Sequence, residues 1–386
     1  MGRSLDILRL GYRLGSALGQ GFLPLAVLIV LLSACSTVGY YADAIHGHLG
    51  ILNQAEPIPD VLANAETPPA VKAALRSLQR ARSFASTALL LPDNGSYREY
   101  ADIGREFAVW NVIATRPYSI TPKRWCYPFA GCVSYKGFHD RKDAEALAAE
   151  LEEQGFDVYV AGARAYSTLG WLDDPLLNTM LYQDEALRIE LLFHELAHQK
   201  IYIRDDPEFN EAFATFVAQE GVRRWYGQTG NDPAWQKYRL ALQRRQEFNA
   251  LLRDTRTELG RLYRQPLDAA SMERRKQKIF AELKSRYERR KPGWQDGNRY
   301  DEWMAQGLNN AHLALVATYH DRVPEFQAVL KELNGNLALF YERIEAMANR
   351  RAEDRRPGAG VSVNPEGSEV PGAGREREGG LPLLIG

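Results

Sequence analysis

Apolar and polar positions repeat with helical spacing over most of this chain, and with strand-like spacing over three short stretches before its middle. Helices are predicted over 39–54 and 68–91, set apart by Pro57-Ile58-Pro59 and Pro68-Pro69. The apolar runs 107–114 and 156–161 read as strands, with a third at 132–135, and 142–154 reads as a short amphipathic helix. Beyond Gly227 the pattern is helical throughout: 232–260, 266–290 ended by Pro292-Gly293, then 302–319 and 324–347. Together these predict an α+β, mostly helical fold, with a small sheet ahead of its central helices and a long helical C-terminal region.

Two central helices carry the chemistry. The first contains Leu191-Leu192-Phe193-His194-Glu195-Leu196-Ala197-His198-Gln199. Histidines four apart stand on one helix face, about one turn from each other, so both imidazoles can reach a single ion. Glu195 lies about 100° around that helix, where it can meet a water on the same ion. The second helix is predicted to start with Asp206 as N-cap and Pro207 at its first position. Phe209, Phe213, Phe216 and Val217 form its apolar stripe, whereas Glu211, Ala214, Thr215 and Ala218 make a face of small residues with one carboxylate. Small residues let the two helices approach, which makes Glu211 the candidate third ligand. Glu208 lies about 60° off that face and Glu220 about opposite. A catalytic zinc takes three protein ligands and keeps one position for water. The expected set is therefore His194, His198 and Glu211 around Zn2+, with Glu195 as general base in peptide hydrolysis.

His-Glu-x-x-His followed by Asn210-Glu211 resembles the gluzincin metallopeptidases, although Glu211 follows His198 by only 13 positions (211 − 198) and Lys200 replaces an apolar residue. The stretch Tyr166 to Leu177, the His194 to Gln199 motif, and Leu308-Asn309-Asn310-Ala311 with Tyr319 together resemble the bacterial predicted zinc-dependent aminopeptidases. That resemblance implies a zincin-like fold and an aminopeptidase acting on peptide substrates. It also offers Tyr319 as a catalytic group for the oxyanion, the alternative being a core tyrosine. The Gly-Ala-Met-Glu-Asn signature of one gluzincin aminopeptidase family is absent, which leaves a zinc endopeptidase as the enzymatic alternative. A periplasmic lipoprotein that binds or scaffolds partners is the non-catalytic one. Asp173, Asp174 and Tyr166 are open candidates for holding a substrate amine or an oxyanion, the alternative being turn and capping residues, and 130–135 for a strand that pairs with substrate backbone, the alternative being a structural hairpin.

The N-terminus places this chemistry in a compartment. Arg3, Arg9 and Arg13 precede an apolar run at 22–32 that ends in Leu32-Ser33-Ala34-Cys35, the layout of a secretory signal. Its order resembles the lipobox of bacterial lipoproteins, which makes 1–35 a signal segment and Cys35 the lipidated residue of a membrane-anchored protein. Ser36 after it implies the outer membrane, facing the periplasm. In an oxidising compartment the remaining pair, Cys126 and Cys132, reads as a disulfide across a Pro/Gly turn, with two free buried thiols as the alternative. The expected organisation is then 36–228 for the catalytic region, 229–350 for the helical region and 351–386 as a polar Gly- and Pro-rich tail. With 48 Lys+Arg against 49 Asp+Glu, a net charge of −1, the chain has no basic field for a nucleic-acid partner.

Overall fold

The computed structural model describes residues 46–354, apart from 128–130, 166, 183, 205, 295–298 and 315–321. Cys35, Tyr166, Tyr319 and the tail from 355 onward lie outside the described residues. Two compact units divide between Asn53 and Gln54. Of the first, residues 46–52 form helix α1.

The second unit begins with β1 (Glu56–Pro57), α2 (Ile58–Ala63) and α3 (Pro69–Thr87). Strand β1 pairs antiparallel with β2 (Glu99–Ala101), which pairs in parallel with the later β8 (Leu176–Leu177). The second sheet has β3 (Val109–Thr115) at its centre, with β6 (Lys136–Phe138) and β7 (Asp157–Ala163) antiparallel on its two sides. Helix α4 (Arg141–Glu153) covers one face through Ala144, Ala148 and Leu151, which pack with Val112, Ala114 and Val158. A separate ribbon joins β4 (Trp125–Tyr127) to β5 (Gly131–Val133). In it Cys126 sits directly opposite Cys132, and their sulfurs are bonded.

The two central helices are α5 (Glu185–Lys200) and α6 (Pro207–Thr229). Helix α5 buries one broad apolar face: Ile189, Leu192, Phe193, Leu196 and Ala197 are fully buried. Gly221 allows α6 to come close, since a Cβ there would stand 2.6 Å from the Phe193 ring and 2.8 Å from Leu89. Phe84 of α3 closes the layer, 6.1 Å from Phe193 and 5.3 Å from Trp225 between ring centroids.

The C-terminal region begins with the hairpin α7 (Asp232–Leu262) and α8 (Ala269–Arg290). The density of Lys and Arg there suits a solvated hairpin, yet its inner face is a core of Phe248, Leu252, Leu259, Phe280, Leu283 and Tyr287. Lys276 is itself buried, its Nζ 2.6 Å from Asp157 of β7.

Two expected helices are broken. The 302–319 stretch yields α9 (Asp301–Ala305) and α10 (Asn310–Ala314). Gln306 turns extended before Gly307, and Asn309 Oδ1 restarts the helix by accepting from Ala311 N–H at 3.0 Å. Ala311 and Ala314 then pack beside Ile113, Tyr135, Tyr159 and Ala161 of the sheet region. The 324–347 stretch yields α11 (Val323–Glu332) and α12 (Leu337–Asp354). Asn334 and Gly335 take φ +51° and +78° between them, and Gly335 N–H closes back on Leu330 O. Phe326 of α11 and Phe340 of α12 bury the predicted apolar stripe of α6, with Phe326 5.3 Å from Phe209 and Phe340 5.3 Å from Phe216. Among the described residues, no helix is long and apolar enough to cross a membrane.

Candidate active site

The helix pair α5/α6 brings His194, His198 and Glu211 together. The two Nε2 atoms are 3.1 Å apart; His194 Nε2 lies 3.4 Å from Glu211 Oε2 and His198 Nε2 lies 3.7 Å from Glu211 Oε1. A tetrahedral ion with ligands at about 2.0–2.1 Å separates them by roughly 3.3–3.4 Å, and the three distances straddle that value. Two imidazole nitrogens facing each other across 3.1 Å cannot both carry protons comfortably, whereas both can offer lone pairs to a common cation. Among the described residues this is the one group of three His, Cys, Asp or Glu side chains that could hold a metal.

Burial and charge set the state of each side chain. His198 is buried, and loss of water pushes its pKa down to about 4, so the ring is neutral and able to ligate. Burial acts on His194 in the same direction, but the Glu211 carboxylate beside it, by hydrogen bond and by charge, holds its pKa above the usual value. Glu195 is buried too; burial, with Glu211 and Asp174 adding negative charge nearby, pushes it up to about 8 against the pull of His194. Its Oε2 is enclosed without a hydrogen-bond partner. A carboxylate oxygen kept dry and unpaired one residue after a ligand is placed for a reacting molecule rather than for stability.

A family model described as "Putative aminopeptidase" matches residues 39–357, most of the chain, including every residue named in this site. The chain belongs to this family. No curated protein and no solved structure matches it.

The aminopeptidase-family chain holds its site by residues that the motif alone does not reveal. Asn210, beside Glu211, accepts from Ile203 N–H at 2.8 Å and donates to Ile203 O at 2.7 Å, which locks the α5–α6 connection against the start of α6. Asp206 caps that helix by accepting from Phe209 N–H, and Arg351 of α12 reaches its other oxygen at 2.8 Å. Lys200, out of place in the motif, lays its ammonium over the Tyr341 ring at 5.0 Å. The Asp206 cap and the Asn-Glu pair were signalled in the sequence; the Arg351 and Tyr341 contacts were not, since both come from α12.

The rejected acids lie where helical geometry put them. Glu208 is exposed, and Glu220 is tied to Arg223 and Arg224, each at 2.7 Å. Residues 131–133 pair with β4 as an ordinary hairpin strand. The loop before α5, in contrast, touches its C-terminal turn. Gln199 accepts from Asn94 at 2.8 Å and donates to Ser96 Oγ at 3.2 Å, and Asp174 N–H donates to that same hydroxyl at 3.3 Å. Arg82, fully buried, fixes the 92–96 segment through Pro92 O, Asn94 O and Ser96 O, each within 3.0 Å. Leu169 and Gly170 both take positive φ at the loop's tip, and Trp171 after them is half exposed.

Proposed function

We propose that this protein is a zinc-dependent peptide hydrolase of zincin-like, gluzincin type, and that aminopeptidase is its activity. The observation that carries the reading is the convergence of His194, His198 and Glu211, with the unpaired Oε2 of Glu195 beside them. Two imidazoles and one carboxylate suit zinc. Bound there, the ion supplies Lewis-acid polarisation of a carbonyl and a lowered pKa for water. His198, neutral through burial, and Glu211, held by Asn210 and the α6 cap, are the fixed part of the site. Glu195 moves the proton: it takes one from water and returns it to the leaving nitrogen. The family match supports peptidase chemistry without naming a metal or a base.

The test is incubation of the purified protein with a free-amine peptide and its N-acetyl counterpart, with and without chelator. Chelator-sensitive cleavage of the free-amine peptide alone is the expected result. Cleavage of both would make the protein an endopeptidase, and cleavage of neither would favour the scaffold reading. The same proposal includes a lipid anchor at Cys35 on the outer membrane, supported by Leu32-Ser33-Ala34-Cys35 behind the apolar run at 22–32. The membrane-fraction protein should then begin at an acylated Cys35 by mass spectrometry, and Cys35→Ser should leave it unacylated. An unmodified Cys35 in the mature chain would remove the anchor.

A further inference from the structure

A cavity of about 620 Å³ lies between α5, α6, α7 and the segment after α8, and the hydrolytic chemistry leaves it without a task. On α5 it is lined by residues from Asp184 to Leu187. Leu187 precedes His194 by seven positions (194 − 187), which is two helical turns. The two side chains therefore point within about 20° of each other and stand about 10 Å apart along the axis. This puts the cavity on the face of α5 that carries His194 and His198. Leu187, Leu191 and His194 are each partly exposed along that face, whereas Glu190 beside them is buried. An open track on α5 leads from the three candidate ligands to the cavity.

Helix α7 forms the opposite wall. Lys237 reaches Asp184 at 3.1 Å and Arg245 reaches Glu190 at 2.5 Å, so α7 is tied to α5 at two points along the helix. The carboxylates that line the cavity already have partners. Asp184 has Lys237, Glu185 accepts from the Ser77 hydroxyl, and Glu247 has Trp294 Nε1 at 3.0 Å and Arg290 at 3.4 Å. Against these three stand four cations: Lys237, Arg290 and Arg299, all exposed, and Arg244, which is 6% exposed. Arg244 brings its positive charge below the mouth, where water screens it least and where its planar fork can meet both oxygens of a carboxylate.

We propose that this cavity receives the carboxyl end of the substrate, with Arg244 anchoring its terminal carboxylate. This rests on the reading of the site as an aminopeptidase. Such an enzyme leaves one residue on the amino side of the cut, about 3.5 Å of main chain, which is too short to enter a cavity about 10 Å away. What reaches the cavity is the chain after the cut. At about 3.3 Å per extended residue, the third residue beyond the cut ends there. The preferred substrate is then a peptide of about four residues with a free carboxylate. Arg244 touches that peptide far from the reacting atoms, equally in the ground and transition states, so it acts on KM and leaves kcat alone.

Arg244→Gln removes the charge and keeps much of the side chain's length. The substrates are Leu-Ala-Ala-Ala with a free carboxylate, the same peptide ending in an amide, and Leu-Ala, which is too short to reach the cavity. KM and kcat are measured on the metal-loaded protein, and the affinity for the product Ala-Ala-Ala, acid against amide, by calorimetry. The wild type should favour the tetrapeptide acid over its amide by about 10- to 100-fold in KM, the value of one charge-assisted contact. The product acid should bind more tightly than its amide by the same factor. Arg244→Gln should lose both preferences, with kcat kept and cleavage of Leu-Ala unchanged. A wild type that treats acid and amide alike while cleaving them would overturn the assignment, as would undiminished preferences in Arg244→Gln; both results leave the hydrolase reading intact. A wild type that cleaves none of the three peptides would remove both readings. If Arg244→Gln does not fold, Ala241→Trp fills the cavity from the α7 side, since Ala241 lines it and is partly exposed. Loss of the preference for the tetrapeptide acid in that variant supports the anchor, and an unchanged preference overturns it.

Discussion

Glu195→Gln is expected to lower peptide hydrolysis by about 10²- to 10⁴-fold while the protein still takes up one metal ion per chain. Glutamine matches glutamate in shape, so α5 and both imidazoles keep their places. What disappears is the group that accepts a proton, and the Glu195 Oε2 has no other partner to lose. A second readout comes from the pH dependence of stability in the metal-free protein. Burial first, then Glu211 and Asp174, raise Glu195 from 4.5 to about 8, so between those values the folded chain holds a proton that the unfolded chain has released. Stability must then fall as pH rises through that window, because the native state binds more protons than the unfolded one. In chelator, thermal unfolding of the wild type should lose more stability from pH 5 to pH 8 than Glu195→Gln does. Equal slopes would mean that Glu195 is not held as described, and unchanged turnover in Glu195→Gln would remove it as the base.

His198→Ala should have the other large effect, and of a different kind. His198 is buried, neutral, and 3.1 Å from the His194 nitrogen, so its loss leaves two ligands for an ion that needs three. Changes one shell further out cost about 10- to 100-fold in metal affinity, and removing the ligand itself should cost more than about 100-fold. Metal content by mass spectrometry and peptide hydrolysis should fall together in His198→Ala. In Glu195→Gln only hydrolysis should fall. That split separates a ligand from a base in a way that activity alone does not.

The site was legible in the sequence because its parts are local. His194 and His198 are one turn apart on one helix, and Glu211 was picked from Glu208 and Glu220 by angle around the next. Asp206 and Pro207 marked where that helix begins. The sheet around β3 was legible for the same reason, as β3 and β7 each carry a short apolar run, Val112-Ile113-Ala114 and Val158-Tyr159-Val160-Ala161. Short strands were not: β1, β2 and β8 have two or three residues each and pair across long separations, so they leave no periodic signal. The breaks at Gly307 and at Asn334-Gly335 were visible as residues but were outweighed by helical spacing on both sides. Buried charges were hidden by composition. Lys276 lies in a basic run and Arg82 in an amphipathic helix, and only their distant partners, Asp157 and the carbonyls of 92–96, explain their burial. Tyr319, the proposed oxyanion group, lies outside the described residues.

Anomalous diffraction at the zinc edge, from crystals of the protein purified without added metal and then loaded with zinc, tests the central claim most directly. One strong peak between His194 Nε2, His198 Nε2 and the Glu211 carboxylate, with no fourth side chain on the ion, is the predicted result. A peak elsewhere with that triad bare, or a fourth protein ligand closing the coordination sphere, would contradict it.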